Sequence, residues 1–154
     1  MKANKSPLIL KNFLLLNLDY QFKQPDSNLK KKVHDLVDDY NIDVDFTFRK
    51  LDQETFQLFT KIGVNDIEEP LPGYILFIEG VCIFSFAKPI DLSDQNKSSL
   101  LHYSGLNICI NSLRNILSTT TSNGPFGRYI LPSIDVSVLL DDKHKQSVEE
   151  HNSK

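Results

Sequence analysis

The dominant spacing of apolar residues in this chain changes period midway, near Asp94, and few folds accommodate such a change. Upstream of Asp94, outside one crossover, the spacing is two, the period of strands. Downstream it is three and four, the period of a helix. From Asn12 to Phe22, Leu14, Leu16, Leu18, Tyr20 and Phe22 alternate with polar Asn17, Asp19 and Gln21, which predicts a strand with one covered face; Phe13 and Leu15 break the rule. Ile42 to Arg49 alternates cleanly, and a turn at Leu51-Asp-Gln-Glu54 leads into Phe56, Leu58, Ile62 and Val64, so these two segments pair as a hairpin. Tyr74 to Phe86 is apolar on both faces apart from Glu79 and Ser85, the pattern of a central strand or of one whose second face is covered by another chain. Between the first two strands, Leu29, Val33, Leu36, Val37 and Tyr40 stand at helical spacing behind Ser27, a candidate N-cap, and predict a crossover with one short helix.

Beyond Asp94 the positions Leu100, Leu101, Leu106, Ile110, Leu113, Ile116, Leu117 and Thr120 predict a long amphipathic helix. Gly105 is a point for a kink, and Ser122-Asn-Gly-Pro125 is the stop. Ile134 to Leu140 reads as a short helix capped by Ser133 or as a strand. Asp141 to Lys154 is charged and reads as a solvated or disordered tail. The expected fold class is therefore α+β: four strands followed by a long amphipathic helix. It forms one domain over residues 1–140, with a tail over 141–154.

At 154 residues one core is expected, and 40% apolar with 24% charged residues places the chain among globular proteins. A net charge of −3 argues against a general nucleic-acid or anionic-membrane binder and in favour of protein partners. The apolar runs Pro7 to Leu10 and Phe13 to Leu16 are interrupted by Lys11 and Asn12, fall far short of a bilayer span and precede no small-x-small site, so a cytoplasmic location is expected. Cys82 and Cys109 stand alone in apolar surroundings, without CxxC spacing, and read as buried structural thiols. His34 with Asp38 lacks a third ligand for a metal, and Asp141-Asp-Lys-His144 lacks rigid support. With no nucleophile elbow, phosphate loop, dinucleotide fingerprint or zinc-protease motif, neither an enzyme nor a cofactor is expected. What stands out is a surplus of large apolar residues. Phe59, Ile75, Phe77, Val81 and Ile83, with Phe13 and Leu15, lie on the parity opposite the one a single helical layer covers. A second subunit, or a groove open to a ligand or an extended polypeptide, would use them.

Five segments in order resemble the SecB family of export chaperones, over roughly Leu8 to Leu140. These are Tyr20-Gln-Phe22, Asn41-Ile-Asp-Val-Asp-Phe46, Gly80-Val-Cys-Ile-Phe-Ser-Phe86, Asn107-Ile-Cys-Ile-Asn-Ser-Leu-Arg114, and Gly124-Pro-Phe126 with Ile130-Leu-Pro-Ser-Ile134. The resemblance implies a four-stranded antiparallel sheet followed by a long amphipathic helix and a short last helix, and a chaperone that holds unfolded or precursor polypeptides without ATP, assembled as a homotetramer, a dimer of dimers. On this resemblance Ile42, Val44 and Phe46 match positions of the client groove. Asp19 matches an acidic position for docking on the SecA motor; Lys23 and Phe77 stand at the family's other acidic positions, and Glu79, two residues from Phe77 on the same strand face, would compensate. The alternative reading on the same fold is an adaptor or dedicated chaperone for one partner, such as an antitoxin.

Overall fold

Three consecutive antiparallel strands form a meander, and the first strand of the chain closes its far side. A computed structural model describes residues 1–27, 33–88 and 92–152. β2 (Ile42–Lys50), β3 (Thr55–Val64) and β4 (Gly73–Phe86) pair in sequence, while β1 (Leu8–Lys23) pairs with β4, giving the order β1-β4-β3-β2. The β2–β3 turn is held by Asp52, whose Oδ1 accepts the amides of Glu54 and Thr55 at 2.8 Å each. At the other end of β3, Asn65 takes a positive φ of 54° and is fully buried. Its Nδ2 donates to the carbonyls of Leu71 (2.9 Å) and Tyr74 (2.8 Å), and its Oδ1 accepts the Leu71 amide (2.9 Å). One side chain thus ties the loop between β3 and β4 to both of its ends.

β1 differs from simple alternation, and the difference explains Phe13 and Leu15. The register shifts between Leu10 and Asn12 and again between Leu15 and Asn17, so Lys11 and Leu16 are extra residues in two bulges. Each bulge exchanges the faces. Phe13 opposite Cys82 and Leu15 opposite Gly80 therefore join Leu18, Tyr20 and Phe22 on the side of the sheet that carries the helices, and Leu14, opposite Val81, moves to the outer face.

The helical side is covered by α3 (Leu106–Thr120), which buries Leu106, Cys109, Ile110, Leu113 and Leu117 against β3 and β4. Gly80 sets the approach: a Cβ there would lie 2.9 Å from both Leu113 Cδ2 and Phe13 Cε2, so the helix seats closely only over glycine. Cys82 of β4 and Cys109 of α3, both buried, are paired as a disulfide. The expectation of buried cysteines holds, and that of two free thiols is corrected: the strand and helix registers bring their Cα atoms to 6.0 Å, within bridging range.

The helix begins earlier than its leucines suggest. α2 (Asp94–Ser99) starts at Ser93, whose Oγ accepts the Asn96 amide, and is followed by a π-helical segment, Leu100–Gly105, that runs into α3. The π turn ends at Gly105, where a kink was expected. α3 stops at Thr121, whose buried hydroxyl donates to the Leu117 carbonyl and accepts the Tyr129 amide. The return segment is tied back by Arg114, which donates to the carbonyls of Leu131 and Pro132 at 2.9 Å each.

α4 (Val136–Asn152) is capped by Asp135, not Ser133: the Asp135 Oδ1 accepts the amides of Ser137 and Val138. Residues 141–152, expected to be a solvated or disordered tail, are helical, and 141–149 are exposed apart from the half-buried Lys143. Lys, Gln and Glu propagate a helix once capped, and Lys145 pairs with Asp142 at i,i+3. The crossover contains α1 (Val33–Val37), with Leu36 and Tyr40 buried; Leu29 and the side chains of Val33 and His34 lie outside the described residues.

Candidate functional site

β2 lies at the end of the sheet, so among the described residues one of its backbone edges is not paired with a strand. Alternation turns Ile42, Val44, Phe46 and Phe48 toward the helical side, opposite Val64, Ile62, Thr60 and Leu58 of β3. α3 packs over β3 and β4 and does not extend to the outer half of β2. The gap is bounded instead by the π segment and by α4, which leaves a cavity of about 500 Å³. Phe46 and Phe48 form its floor, His102 and Tyr103 one wall, and Leu140, Lys143 and His144 the other. That volume is in the range of a small-ligand or side-chain site. A second cavity of about 460 Å³ continues from Phe48 and His102 toward Arg49, Lys50, Phe56, Phe86 and Lys97.

The aromatic floor is ordered by edge contacts. The Phe46 and Phe48 rings meet at 5.6 Å and 77°, and Phe48 lies 4.3 Å from the His102 ring. His102 Nδ1 is 2.7 Å from the Ser98 carbonyl, which can only accept, so Nδ1 carries a proton and the ring is oriented by its own helix. A regular α-helix would not place His102 and Tyr103 this way, since the wider turn of the π segment rotates them relative to α3.

At the other wall α4 is pinned to the edge of β2. Lys143 Nζ donates to Asp45 Oδ1 at 2.5 Å and lies 6.0 Å from the Phe46 ring centroid, while the same Asp45 oxygen accepts the Phe46 amide at 2.8 Å. Partial burial works to raise the Asp45 pKa, but the Lys143 ammonium, the Phe46 amide and the nearby Lys61 outweigh it and hold the carboxyl below its ordinary value.

Of the three residues matched to a client groove, only Phe46 lines the cavity, and it is 5% exposed. Ile42 and Val44 share its face, are half-buried and pack against the core. Asp19 and Glu79 are diagonal neighbours on the outer face, since Asp19 stands opposite Phe77 and Glu79 opposite Asn17. Asp19 accepts from Gln21 Nε2 at 3.3 Å, and Glu79 stands beside Lys61 of β3. Lys23, at another of the family's acidic positions, donates to the Pro70 carbonyl at 2.6 Å. Phe48, His102 and Tyr103 were not singled out in the sequence. Phe48 was signalled by the alternation that continues past Phe46, and the π segment by the gap of five between Leu101 and Leu106. Asp141-Asp-Lys-His144, expected to lack rigid support, lies on α4, which brings Lys143 and His144 to the cavity wall; the contact of Lys143 with Asp45 had no local signal. Among the described residues no group of three or more His, Cys, Asp or Glu is placed to hold a metal ion, and no helix is long and apolar enough to cross a membrane.

Neither a family model nor a curated protein matches the chain. Among solved structures it is similar to the Mycobacterium tuberculosis Rv1957 SecB-like chaperone, in complex with a ChAD peptide from the Rv1956 HigA1 antitoxin. The TM-score is 0.55 at 11% identity, covering 83% of this chain and 91% of that one. A protein of unknown function from Streptococcus agalactiae matches at a TM-score of 0.42 and 11% identity, covering 82% and 97%. At this identity the first likeness shows that the fold is SecB-like.

Proposed function

We propose that this chain is an ATP-independent chaperone that holds unfolded or precursor polypeptides in the trough along β2. The observation that carries the reading is an aromatic floor, Phe46 and Phe48, set beside an unpaired strand edge on a SecB-like fold. An extended segment laid there gains main-chain hydrogen bonds from the edge and places alternate side chains on the rings. Holding of this kind uses no cofactor and no catalytic group. The test is suppression of aggregation of a chemically denatured protein at stoichiometric amounts. Phe48→Ala is expected to weaken suppression several-fold while Ile42→Val leaves it unchanged. Failure of the folded wild type to slow aggregation refutes general holding.

Dedicated service to one partner on the same fold is favoured by one observation: the similar mycobacterial chaperone is in complex with an antitoxin peptide. Capture from the native cell separates the two, since many precursors support export and one stoichiometric partner supports the adaptor. Export through SecA further requires a docking surface, for which we propose Asp19 and Glu79 on the outer face. Reversing both charges should slow association with SecA from the same cell at low salt and leave client binding intact; no affinity of the wild type for that SecA removes this part of the reading. We also propose a cytoplasmic homotetramer. Ile9, Leu10, Leu14, Leu15 and Leu16 of edge strand β1 are 36–49% exposed, a larger apolar stretch than a monomer usually leaves in water. A monodisperse monomer by light scattering at tens of micromolar refutes it.

A further inference from the structure

We infer that the trough along β2 selects extended segments in which acidic side chains alternate with large apolar ones; this rests on the polypeptide-holding reading above. The two cavities share Phe48, Ser98 and His102 and so form one trough. Its rim carries Arg49, Lys50, Lys97 and Lys143, against a single carboxylate among the residues that line it, Asp94. In a chain of net charge −3 this is a local inversion of sign. Lys143 is engaged by Asp45 and Lys97 approaches Asp94 at 3.5 Å, while neither Arg49 nor Lys50 forms an ion pair among the described residues, although Asp52 acts on Lys50 through space. The positive charge with least pairing is therefore at the end of β2, beyond the Phe46 and Phe48 floor. An extended segment presents alternate residues to opposite sides. With its apolar residues down on the rings, the intervening ones face the rim, where carboxylates are matched and ammonium groups are opposed. Four cations on a floor of phenylalanines, in an acidic protein, favour such a peptide over a nucleic acid, whose affinity scales with the number of phosphates neutralised.

The test is fluorescence anisotropy of the full chain with three labelled ten-residue peptides that share one Leu and Phe framework and carry Glu, Gln or Lys at alternate positions. A labelled ten-nucleotide oligothymidine is the fourth probe, and all are measured at 50 and 500 mM salt. The Glu peptide is expected to bind about tenfold tighter than the Gln peptide, with the Lys peptide weakest, and the advantage should shrink at the higher salt. Arg49→Gln with Lys50→Gln removes the two rim cations that form no ion pair and should make the Glu and Gln peptides about equal, while the uncharged Gln peptide binds as it does to the wild type; the variant's fold is confirmed by circular dichroism. Equal affinities for the three peptides, a preference for Lys, or tighter binding of oligothymidine overturns the inference while leaving polypeptide holding intact. If no peptide binds although the chain still suppresses aggregation, the trough is not the holding site and the inference falls alone. If no peptide binds and aggregation is unaffected, both fall.

Discussion

Removing the Asn65 side chain should cost more stability than any other single truncation of a polar residue in this fold. Asn65→Ala deletes three hydrogen bonds of 2.8–2.9 Å and leaves the Leu71 amide and the Leu71 and Tyr74 carbonyls in search of other partners. At about 1 kcal/mol net for each bond, the loss is about 3 kcal/mol. The left-handed backbone at φ 54° adds about 1 kcal/mol for alanine, which lacks the local tolerance of asparagine. The total of about 4 kcal/mol corresponds to a fall in Tm of about 8–16 °C for a chain of this length. Asn65→Gly separates the two contributions, because it loses the same bonds but relieves the backbone. It should be better than Asn65→Ala by a few tenths of a kcal/mol, the relieved strain of about 1 kcal/mol less about 0.5 kcal/mol for the extra freedom of glycine in the unfolded chain. Asn65→Asp keeps the acceptor and the backbone tolerance yet turns a carboxylate toward two carbonyls, so at neutral pH it should be no better than Asn65→Ala. Urea unfolding followed by circular dichroism gives all three values. An Asn65→Ala variant within 1 kcal/mol of wild type, or a glycine variant less stable than the alanine one, refutes the reasoning.

Reduction of the Cys82–Cys109 disulfide, which closes a loop across 27 positions, should lower stability by roughly 3.5 kcal/mol on a loop-entropy basis, and Cys109→Ser should show the same loss and no further response to reductant. Thr60→Val should stabilise by about 1 kcal/mol, because the buried Thr60 hydroxyl has no hydrogen-bond partner and valine keeps its shape; a destabilised variant contradicts this. The Asp45 carboxyl has a folded pKa below its unfolded one, so its contribution is complete above about pH 4 and is lost as pH falls through the depressed value. Since the pair is about half exposed, the effect should be below about 1 kcal/mol, and Asp45→Asn should abolish it in a pH series of urea midpoints.

The alternation of Ile42 to Arg49, the doubly apolar Tyr74 to Phe86 and the helical spacing after Asp94 were legible because each segment keeps one period along its length. Where the period slips, a fixed template misreads the face. In β1 the two bulges each insert one residue, so Phe13 and Leu15 looked like errors in a strand that is regular on either side of Lys11 and Leu16. The π segment is the helical equivalent, and the spacing of five from Leu101 to Leu106 was its trace. Lys143 was beyond reach of any local pattern, because its partner Asp45 lies 98 positions away and only the packing of α4 on the sheet brings them together. The pairing of Cys82 with Cys109 is of the same kind: neither neighbourhood carries a motif, and the contact is set by the register between strand and helix.

The place of β1 in the sheet has a consequence for how the chain is made. Among the described residues the strand partners only β4, from Leu8 opposite Phe86 to Lys23 opposite Gly73, although it precedes every other element of this sheet in translation. About sixty further residues must be added after Lys23 before its partner is complete, a delay of roughly 3–12 s at common rates of synthesis. The meander of β2, β3 and β4 has short connections and can form by local closure, whereas docking of β1 closes a long loop and should come late. Throughout that interval the leucine-rich segment Phe13 to Leu18 has no native partner. The element with the greatest need of protection in the nascent chain is therefore the one that translation delivers earliest and folding satisfies last.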